Sequence, residues 1–180
     1  STTTPNWPIA SLLFISVLIE IRFQTIPFHS SRILLNINMS VDLSILNDAV
    51  ILKGDKYDNA KLANRVLALY FSASWCGPCK AFTPTLIKAY NDAKAAGADF
   101  EVIFVSSDED QEGFDEYYAK MPFAAVQFDK EDVREQLGSM FGVEGIPTLV
   151  VIGKDGKKIT AGGKNEVAHS KADAFINWAK

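Results

Sequence analysis

Both cysteines of the chain lie in one pentapeptide, residues 75–79, which reads WCGPC. The preceding residues, 66–71 (VLALYF), form an apolar run without polar alternation, which is typical of a strand buried on both faces of a sheet. The residues that follow, 80–96, carry apolar side chains at helical spacing. A buried strand therefore passes directly into a helix, with Cys76 and Cys79 at the junction. We predict that the two cysteines form a dithiol that can close into a disulfide.

The rest of the pattern predicts strands that alternate with helices, followed by a hairpin and a closing helix. The predicted strands are 50–53, 66–71, 100–105, 148–152 and 157–160, and the predicted helices are 76–96, 111–120, 129–140 and 165–180. Pro84 should kink the first helix, which ends at Gly97. Asp129 should cap the third helix, and Gly142 should close it. This order predicts an α/β fold of three layers, in which helices flank a central mixed sheet.

The composition is that of an ordinary globular chain, with 48% hydrophobic and 22% charged residues. A length of 180 residues most simply makes one domain with an extension. The formal net charge of −4 argues against nucleic acid as a partner, because phosphate binding needs a basic surface. Two cysteines are too few for the framework of a small secreted domain, and a CxxC pair is usually catalytic or metal-binding.

The first 38 residues carry few charges and differ in composition from the rest of the chain. We predict that residues 1–38 lie outside the fold and that the domain comprises residues 39–180. Met39 reads as a natural start, so the extension could be translated upstream sequence. The alternative is a signal peptide or membrane anchor. The apolar run 8–19 is too short to span a bilayer, and no Lys or Arg precedes it.

The chemistry of the pair follows from its place at a helix N-terminus, where backbone N–H groups and the helix dipole favour a thiolate. Cys76 should attack a substrate disulfide, and the more buried Cys79 should resolve the mixed disulfide that results. Gly77 and Pro78 offer no charge or side-chain hydrogen bond to stabilise the thiolate further, which favours a reductant over a strong oxidant. Trp75 should provide a flat apolar cover beside the sulfur.

Two other readings of the CxxC pair stay open at this point. The pair could be half of a zinc site, which needs two more ligands. The chain has no further cysteine, and its two histidines, His29 and His169, lie far apart in the sequence. The cysteines could also be inert buried thiols. The flanking Trp75 and the Gly77-Pro78 pair favour a reactive turn over inert thiols.

A second short motif, residues 145–148 (GIPT), precedes a predicted buried strand. Its proline could be an ordinary turn or edge proline. A cis bond between Ile146 and Pro147 would instead expose the backbone of Ile146 beside the dithiol. Ile146 and Pro147 would then bind an extended substrate chain along that edge.

Together, residues 75–80 (WCGPCK), Pro84 and residues 145–148 resemble the thioredoxin superfamily in type, order and spacing. The resemblance covers about residues 48–180. It implies a thioredoxin-like three-layer sandwich in which the first cysteine is the nucleophile and the proline of the GIPT motif is cis.

Four further stretches are similar to one branch of that superfamily, the nucleoredoxins and tryparedoxins. They are residues 69–75 (LYFSASW), 105–108 (VSSD), 117–122 (YYAKMP) and 141–143 (FGV). The added material between residues 108 and 129 is also similar to this branch. The Gly-Pro pair between the cysteines departs from the Pro-Pro of tryparedoxins, which puts trypanothione as the electron donor in doubt.

The resemblance implies a dithiol–disulfide oxidoreductase that acts mainly as a protein-disulfide reductase in electron transport and cell redox homeostasis. No bound cofactor is expected, because the electrons reside in the redox-active Cys76–Cys79 disulfide. They would come from an NADPH-dependent enzyme of the thioredoxin-reductase type, or from glutathione or trypanothione. The substrates would be proteins with disulfides, such as peroxiredoxins.

The resemblance also implies a monomer in the cytoplasm, with the nucleus as an alternative and no membrane association unless residues 1–38 are a genuine signal. One rival function is a thiol oxidase or isomerase of the secretory pathway. Gly77-Pro78 argues against it, since the oxidising members usually place His before the second cysteine. The other rival is a non-catalytic binding module that senses redox state.

One departure from thioredoxin concerns the proton of the resolving cysteine. Thioredoxin has a buried Asp six residues before the first cysteine, where this chain has Tyr70. The strand 100–105 also lacks the Lys that partners that Asp. We predict that the Tyr70 hydroxyl and Asp108, through water, manage the proton of Cys79. The alternative is that Tyr70 is a core aromatic residue and Asp108 a solvated loop residue.

Overall fold

A computed structural model of the chain describes residues 41–180. The predicted extension, residues 1–38, and the first two residues of the predicted domain 39–180 lie outside the described residues, so both domain bounds stay predictions. None of the described helices is long and apolar enough to cross a membrane.

Seven strands and five α-helices form the described part of the fold. The strands are β1 (Val50–Leu52), β2 (Asp55–Lys56), β3 (Val66–Ser72), β4 (Phe100–Ser106), β5 (Ala124–Val126), β6 (Thr148–Ile152) and β7 (Lys158–Thr160). The helices are α1 (Gly77–Ala95), α2 (Gln111–Tyr118), α3 (Glu131–Phe141), α4 (Gly163–Ser170) and α5 (Ala172–Trp178). Short 3₁₀ turns at Leu43–Leu46 and Asn59–Lys61 precede β1 and β3.

The strands make one mixed sheet in the order β2-β1-β5-β4-β3-β6-β7. Strand β3 pairs in parallel with β4 and antiparallel with β6. Strand β5 pairs in parallel with β4 and antiparallel with β1. Helices lie on both faces of this sheet, so the predicted three-layer α/β fold is confirmed.

Strand β3 is buried along its whole length and divides the interior into two cores. From residue 66 to residue 71, the even-numbered side chains belong to a core formed with α1, α2, α4 and α5. The odd-numbered ones belong to a second core formed with α3. Because successive side chains of a strand point to opposite faces, both sets must be apolar, which explains the continuous run in the sequence.

The helix after the cysteines closely matches its prediction. Four buried side chains form its inner stripe, namely Phe82, Leu86, Tyr90 and Ala93. Pro84 lies inside the helix on its exposed side, where it cannot donate a backbone hydrogen bond to the carbonyl of Lys80. Gly97 follows the helix with a φ of +81°, as its predicted place at the helix end requires.

The predicted single closing helix, 165–180, is wrong. The chain forms two helices, α4 and α5, which are separated at Lys171. Lys171 has φ 53° and ψ −128°, a backbone conformation that glycine adopts readily and other residues rarely do. The break redirects the chain so that Phe175 stacks on Phe100 with ring centroids 4.4 Å apart. No Gly or Pro marks this break in the sequence.

Two smaller features also differ from the predictions. Strand β5 was not predicted, because three buried residues between two helical patterns give too short a signal. Asp129 does not cap α3. The N-cap residue is Lys130, and no side chain caps this helix. Gly142 does close it, with a φ of +63°.

Helix α4 approaches the backbone of β6 closely at Gly163. A Cβ atom at this position would lie 2.9 Å from the carbonyl oxygen of Leu149 and 3.0 Å from Cγ2 of Val151. Since the carbonyl belongs to a buried central strand, it has little room to move. By contrast, a Cβ atom at Gly138 inside α3 would have open space around it.

We therefore expect Gly163→Ala to lower the free energy of unfolding by about 1–3 kcal/mol, through overpacking against β6. Gly138→Ala should raise it by about 0.5–1 kcal/mol, because alanine loses less conformational entropy than glycine in a helix. Urea unfolding of the wild type and both variants measures these changes. Equal effects of the two substitutions would contradict the close approach at Gly163.

Candidate active site

The first cysteine lies where β3 passes into α1. Cys76 is the N-cap residue of α1, and its Sγ accepts a hydrogen bond from the backbone N–H of Cys79 at 3.2 Å. The sulfur thus takes the place that a Ser or Asp oxygen usually has at a helix N-cap. Pro78 lies in the first turn, where its missing donor leaves no helical bond unmade. A negative charge on this sulfur would be favoured by the N–H groups and the dipole of α1.

Cys76 and Cys79 form a disulfide, as predicted. Cys79 is completely buried, whereas Cys76 is 6% exposed and packs with Ala73 and Ile146. Within residues 41–180, no group of three or more His, Cys, Asp or Glu side chains could hold a metal ion. His29, one of the two histidines weighed for a zinc site, lies outside the described residues.

Next to the disulfide lies a large and exposed apolar side chain, that of Trp75. Its relative exposure is 58%, and its indole Nε1 donates a hydrogen bond to the carbonyl of Ser107 at 3.2 Å. The contact holds one edge of the ring against the loop after β4. Gly77 and Pro78 are also exposed, so solvent reaches the turn from the same side.

The GIPT motif lies beside the disulfide on the other side. The peptide bond between Ile146 and Pro147 is cis, as predicted, so this is not an ordinary trans turn proline. The carbonyl oxygen of Ile146 lies 3.9 Å from Sγ of Cys76. Thr148, the next residue, pairs with Phe71 in the sheet, which places the motif opposite the end of β3.

Asp108 is buried behind the cysteine loop, with a relative exposure of 5%. One carboxylate oxygen accepts a hydrogen bond from the backbone N–H of Ser74 at 2.6 Å, and the other accepts one from the Ser106 hydroxyl at 2.7 Å. Arg134 on α3 donates to the carbonyl of Ser106 at 2.9 Å. The alternative of a solvated loop residue is therefore wrong. Asp108 joins the end of β4 to the residues just before Cys76.

Tyr70 is completely buried on β3, below the dithiol turn. Its hydroxyl lies 2.8 Å from Oγ1 of Thr83, accepts a hydrogen bond from Ser72 at 3.0 Å and lies 3.5 Å from the carbonyl oxygen of Cys79. Burial raises the pKa of Tyr70 above its ordinary value, although its hydrogen bonds with Ser72 and Thr83 act in the opposite direction. At neutral pH this hydroxyl therefore stays protonated, and it acts as a neutral hydrogen-bonding group.

Three residues of the site were missed from the sequence, namely Ser72, Thr83 and Tyr117. Ser72 lies one residue beyond the predicted strand 66–71, but it is the last residue of β3 and shares a face with Tyr70. Thr83 lies one helical turn after Cys79, and its hydroxyl donates to the Cys79 carbonyl at 2.9 Å. The Tyr117 hydroxyl lies 2.6 Å from Thr83 Oγ1 and 3.0 Å from Ser72 Oγ. The alternation along β3 and the four-residue spacing along α1 were the available signals.

The chain is similar to a known family over its central part. A family model described as thioredoxin-like matches residues 64–158. Probable nucleoredoxin 1 of Arabidopsis thaliana is 40% identical over 134 residues, which are 74% of this chain but only 22% of that protein. The chain thus spans less than a quarter of that relative's length. The tryparedoxin of Trypanosoma brucei brucei is 39% identical over 127 residues, which are 70% of this chain and 88% of that protein.

The comparison with solved structures finds the same kind of relative, tryparedoxins. The structure titled tryparedoxin II complexed with glutathionylspermidine has 35% sequence identity to this chain and a TM-score of 0.69. The match covers 77% of this chain and 98% of that chain. The chain therefore belongs to the thioredoxin-like family, and its relatives there are nucleoredoxins and tryparedoxins.

Proposed function

We propose that this domain is a dithiol–disulfide oxidoreductase that acts mainly as a protein-disulfide reductase. The observation that supports the proposal most is the Cys76–Cys79 disulfide at the start of α1, where the Cys79 N–H group donates to Sγ of Cys76. A donor aimed at this sulfur, at the positive end of a helix dipole, stabilises the thiolate that the reaction needs.

The reaction begins from the reduced pair. The Cys76 thiolate attacks one sulfur of a substrate disulfide, whose other sulfur leaves with the bonding electron pair and takes up a proton. A mixed disulfide then joins Cys76 to the substrate. Cys79, as thiolate, attacks Sγ of Cys76, and the second substrate sulfur leaves and is protonated. The dithiol has given two electrons to the substrate and has become the Cys76–Cys79 disulfide.

The substrate chain should bind between Trp75 and the GIPT motif. The exposed Trp75 ring and the partly buried Ile146 flank the two cysteines. The Ile146 carbonyl, 3.9 Å from Sγ of Cys76, can accept a backbone hydrogen bond from an extended chain. Trp75, Ile146 and Pro147 are thus proposed as the docking surface.

The oxidised pair must be reduced again by an external donor. We propose two donor classes, an NADPH-dependent enzyme of the thioredoxin-reductase type and a low-molecular-weight thiol. One tryparedoxin similar to this chain is titled as a complex with glutathionylspermidine, which supports the second class. Gly77-Pro78, the thioredoxin pair, supports the first. Peroxiredoxins are the proposed protein substrates, and the cytoplasm or the nucleus is the proposed location.

The reductase proposal predicts different defects for the two cysteines. Cys76→Ser should abolish the protein's catalysis of insulin reduction by dithiothreitol, because the attacking thiolate at position 76 is missing. Cys79→Ser should accumulate a mixed disulfide at Cys76, because nothing resolves it. Turbidity of reduced insulin and mass spectrometry of trapped adducts measure the two outcomes.

Residual turnover by Cys76→Ser would contradict the assignment of the nucleophile. Wild-type activity of Cys79→Ser would indicate a scheme with a single thiol. If the wild type reduced no insulin but bound a protein only in one redox state, the domain would be a redox-sensing binding module.

The donor can be identified by direct comparison. We expect one donor class to reduce the oxidised protein faster than the other, because a reductase protein and a small thiol make different contacts around the disulfide. Thioredoxin reductase with NADPH, glutathione and trypanothione should be compared at equal reducing capacity, with the thiol content of the protein as readout. Failure of all three donors to reduce the pair would contradict the proposed cycle.

A further prediction concerns the roles of Asp108 and Tyr70. Asparagine at position 108 keeps an oxygen for the Ser74 N–H group, whereas alanine removes it. If Asp108 acts by holding the loop, Asp108→Ala should slow insulin reduction about tenfold and Asp108→Asn much less. If Asp108 and Tyr70 manage the proton of Cys79 through water, Asp108→Asn and Tyr70→Phe should both shift the pH profile of the reaction. Unchanged profiles would dismiss the proton role for both residues.

A further inference from the structure

Four buried hydroxyl groups form a closed ring under the dithiol turn. Ser72 donates to Tyr70 at 3.0 Å, Tyr70 lies 2.8 Å from Thr83, Thr83 lies 2.6 Å from Tyr117, and Tyr117 lies 3.0 Å from Ser72. None of the four side chains is more than 4% exposed. We call this set the hydroxyl ring. It joins three elements, since two members lie on β3, one on α1 and one on α2.

The hydroxyl ring contacts the resolving cysteine through its carbonyl group. Thr83 donates to the Cys79 carbonyl at 2.9 Å, and the Tyr70 hydroxyl lies 3.5 Å from the same oxygen. The Cys79 carbonyl lies inside α1, where the backbone N–H of residue 83 already points at it, as in any α-helix. The two hydroxyl groups are additional side-chain contacts to the same oxygen. The ring therefore adds a second attachment for Cys79 beyond the ordinary helical bond.

The need for such an attachment follows from Pro84. An α-helix connects each turn to the next by successive backbone hydrogen bonds, and Pro84 removes the one on the carbonyl of Lys80. The turn that carries both cysteines is thus joined to the rest of α1 by one bond fewer. The hydroxyl ring compensates at the neighbouring carbonyl, and it ties this turn to the central strand β3.

We propose that the hydroxyl ring holds Cys79 in place for the resolving step, and that Thr83 and Tyr117 are positioning residues of the reaction. The inference rests on the proposed function, in which Cys79 attacks the mixed disulfide at Cys76. An intramolecular attack is fast when the two groups are held together, because the orientation is settled before the reaction. Loosening the ring therefore slows closure of the disulfide and shifts its equilibrium toward the dithiol.

The hydroxyl ring has no role in the first attack. Sγ of Cys76 accepts its hydrogen bond from the Cys79 N–H group, and no member of the ring donates to it among the described residues. A variant of the ring should therefore form the mixed disulfide at the normal rate and resolve it slowly. A general packing defect would not separate the two steps in this way.

The chain offers matched controls for two substitutions. Thr83→Val removes the hydroxyl that bonds to Cys79, and Thr85→Val makes the same change two residues on in α1, outside the ring. Tyr117→Phe removes a ring hydroxyl without changing the aromatic packing. Tyr118→Phe makes the same change in the next residue, whose hydroxyl bonds to the backbone of Ile51 and Lys53 instead.

The test uses the reduced full-length chain and the chromogenic disulfide 5,5′-dithiobis(2-nitrobenzoate) in stopped flow. One thionitrobenzoate is released when Cys76 attacks, and a second when Cys79 resolves. We expect Thr83→Val to slow the second release about two- to tenfold and Tyr117→Phe to slow it about two- to fivefold, the range of one lost hydrogen bond. The first release should be unchanged, and the two control variants should match the wild type in both.

The redox equilibrium with dithiothreitol provides a second readout. Thr83→Val and Tyr117→Phe should shift it toward the dithiol by a similar factor, and the controls should not. A wild-type second release in both ring variants, or an equal loss in the controls, would overturn the inference. The small probe also distinguishes this inference from the proposed function. A protein that shows two normal release phases with the probe but does not reduce insulin would contradict only the proposed function.

Discussion

Burial of β3 on both faces is the constraint on which the rest of the structure depends. The strand lies between β4 and β6, and its register with them decides what surrounds the dithiol. Pairing of Phe71 with Thr148 brings the GIPT motif to the disulfide, and pairing of Ser72 with Ser106 brings Asp108 to the cysteine loop. A shift by one residue would turn every side chain of β3 to the other face and dismantle both arrangements.

Two buried carboxylates, one near the start of β4 and one just beyond its end, hold neighbouring segments in place. Glu101, near its start, is 5% exposed and accepts hydrogen bonds from the hydroxyls of Tyr57 and Tyr90. Burial, together with this carboxylate, raises the pKa of Tyr57 to about 12. Asp108, just beyond the other end, holds the cysteine loop. Each carboxylate is buried with hydrogen-bond donors around it, so its desolvation is offset locally.

Much of this architecture could be predicted from the sequence, for physical reasons that differ between elements. The continuous apolar run of β3 and the stripe of α1 reflect burial, which leaves a clear pattern in the sequence. The CxxC pair was recognisable because only two thiols can close into a disulfide, and the cis proline was implied by the resemblance of residues 145–148 to the thioredoxin superfamily. Strand β5 escaped prediction because three residues give too short a signal, and the break at Lys171 escaped it because the break depends on packing against a distant residue, Phe100. The hydroxyl ring escaped for the same reason, since it joins side chains 45 residues apart in the sequence, Ser72 and Tyr117.

The unequal burial of the two sulfur-bearing residues makes the disulfide regioselective. Cys79 is completely buried beneath the turn, and only Cys76 has any surface, next to the exposed Trp75. A nucleophile that arrives from solvent cannot reach the sulfur of Cys79, which leaves the sulfur of Cys76 as the position for attack. Of the two isomeric adducts that an incoming thiol could form with this disulfide, the fold admits one. The leaving sulfur is then always that of Cys79, which the same fold keeps beside its partner.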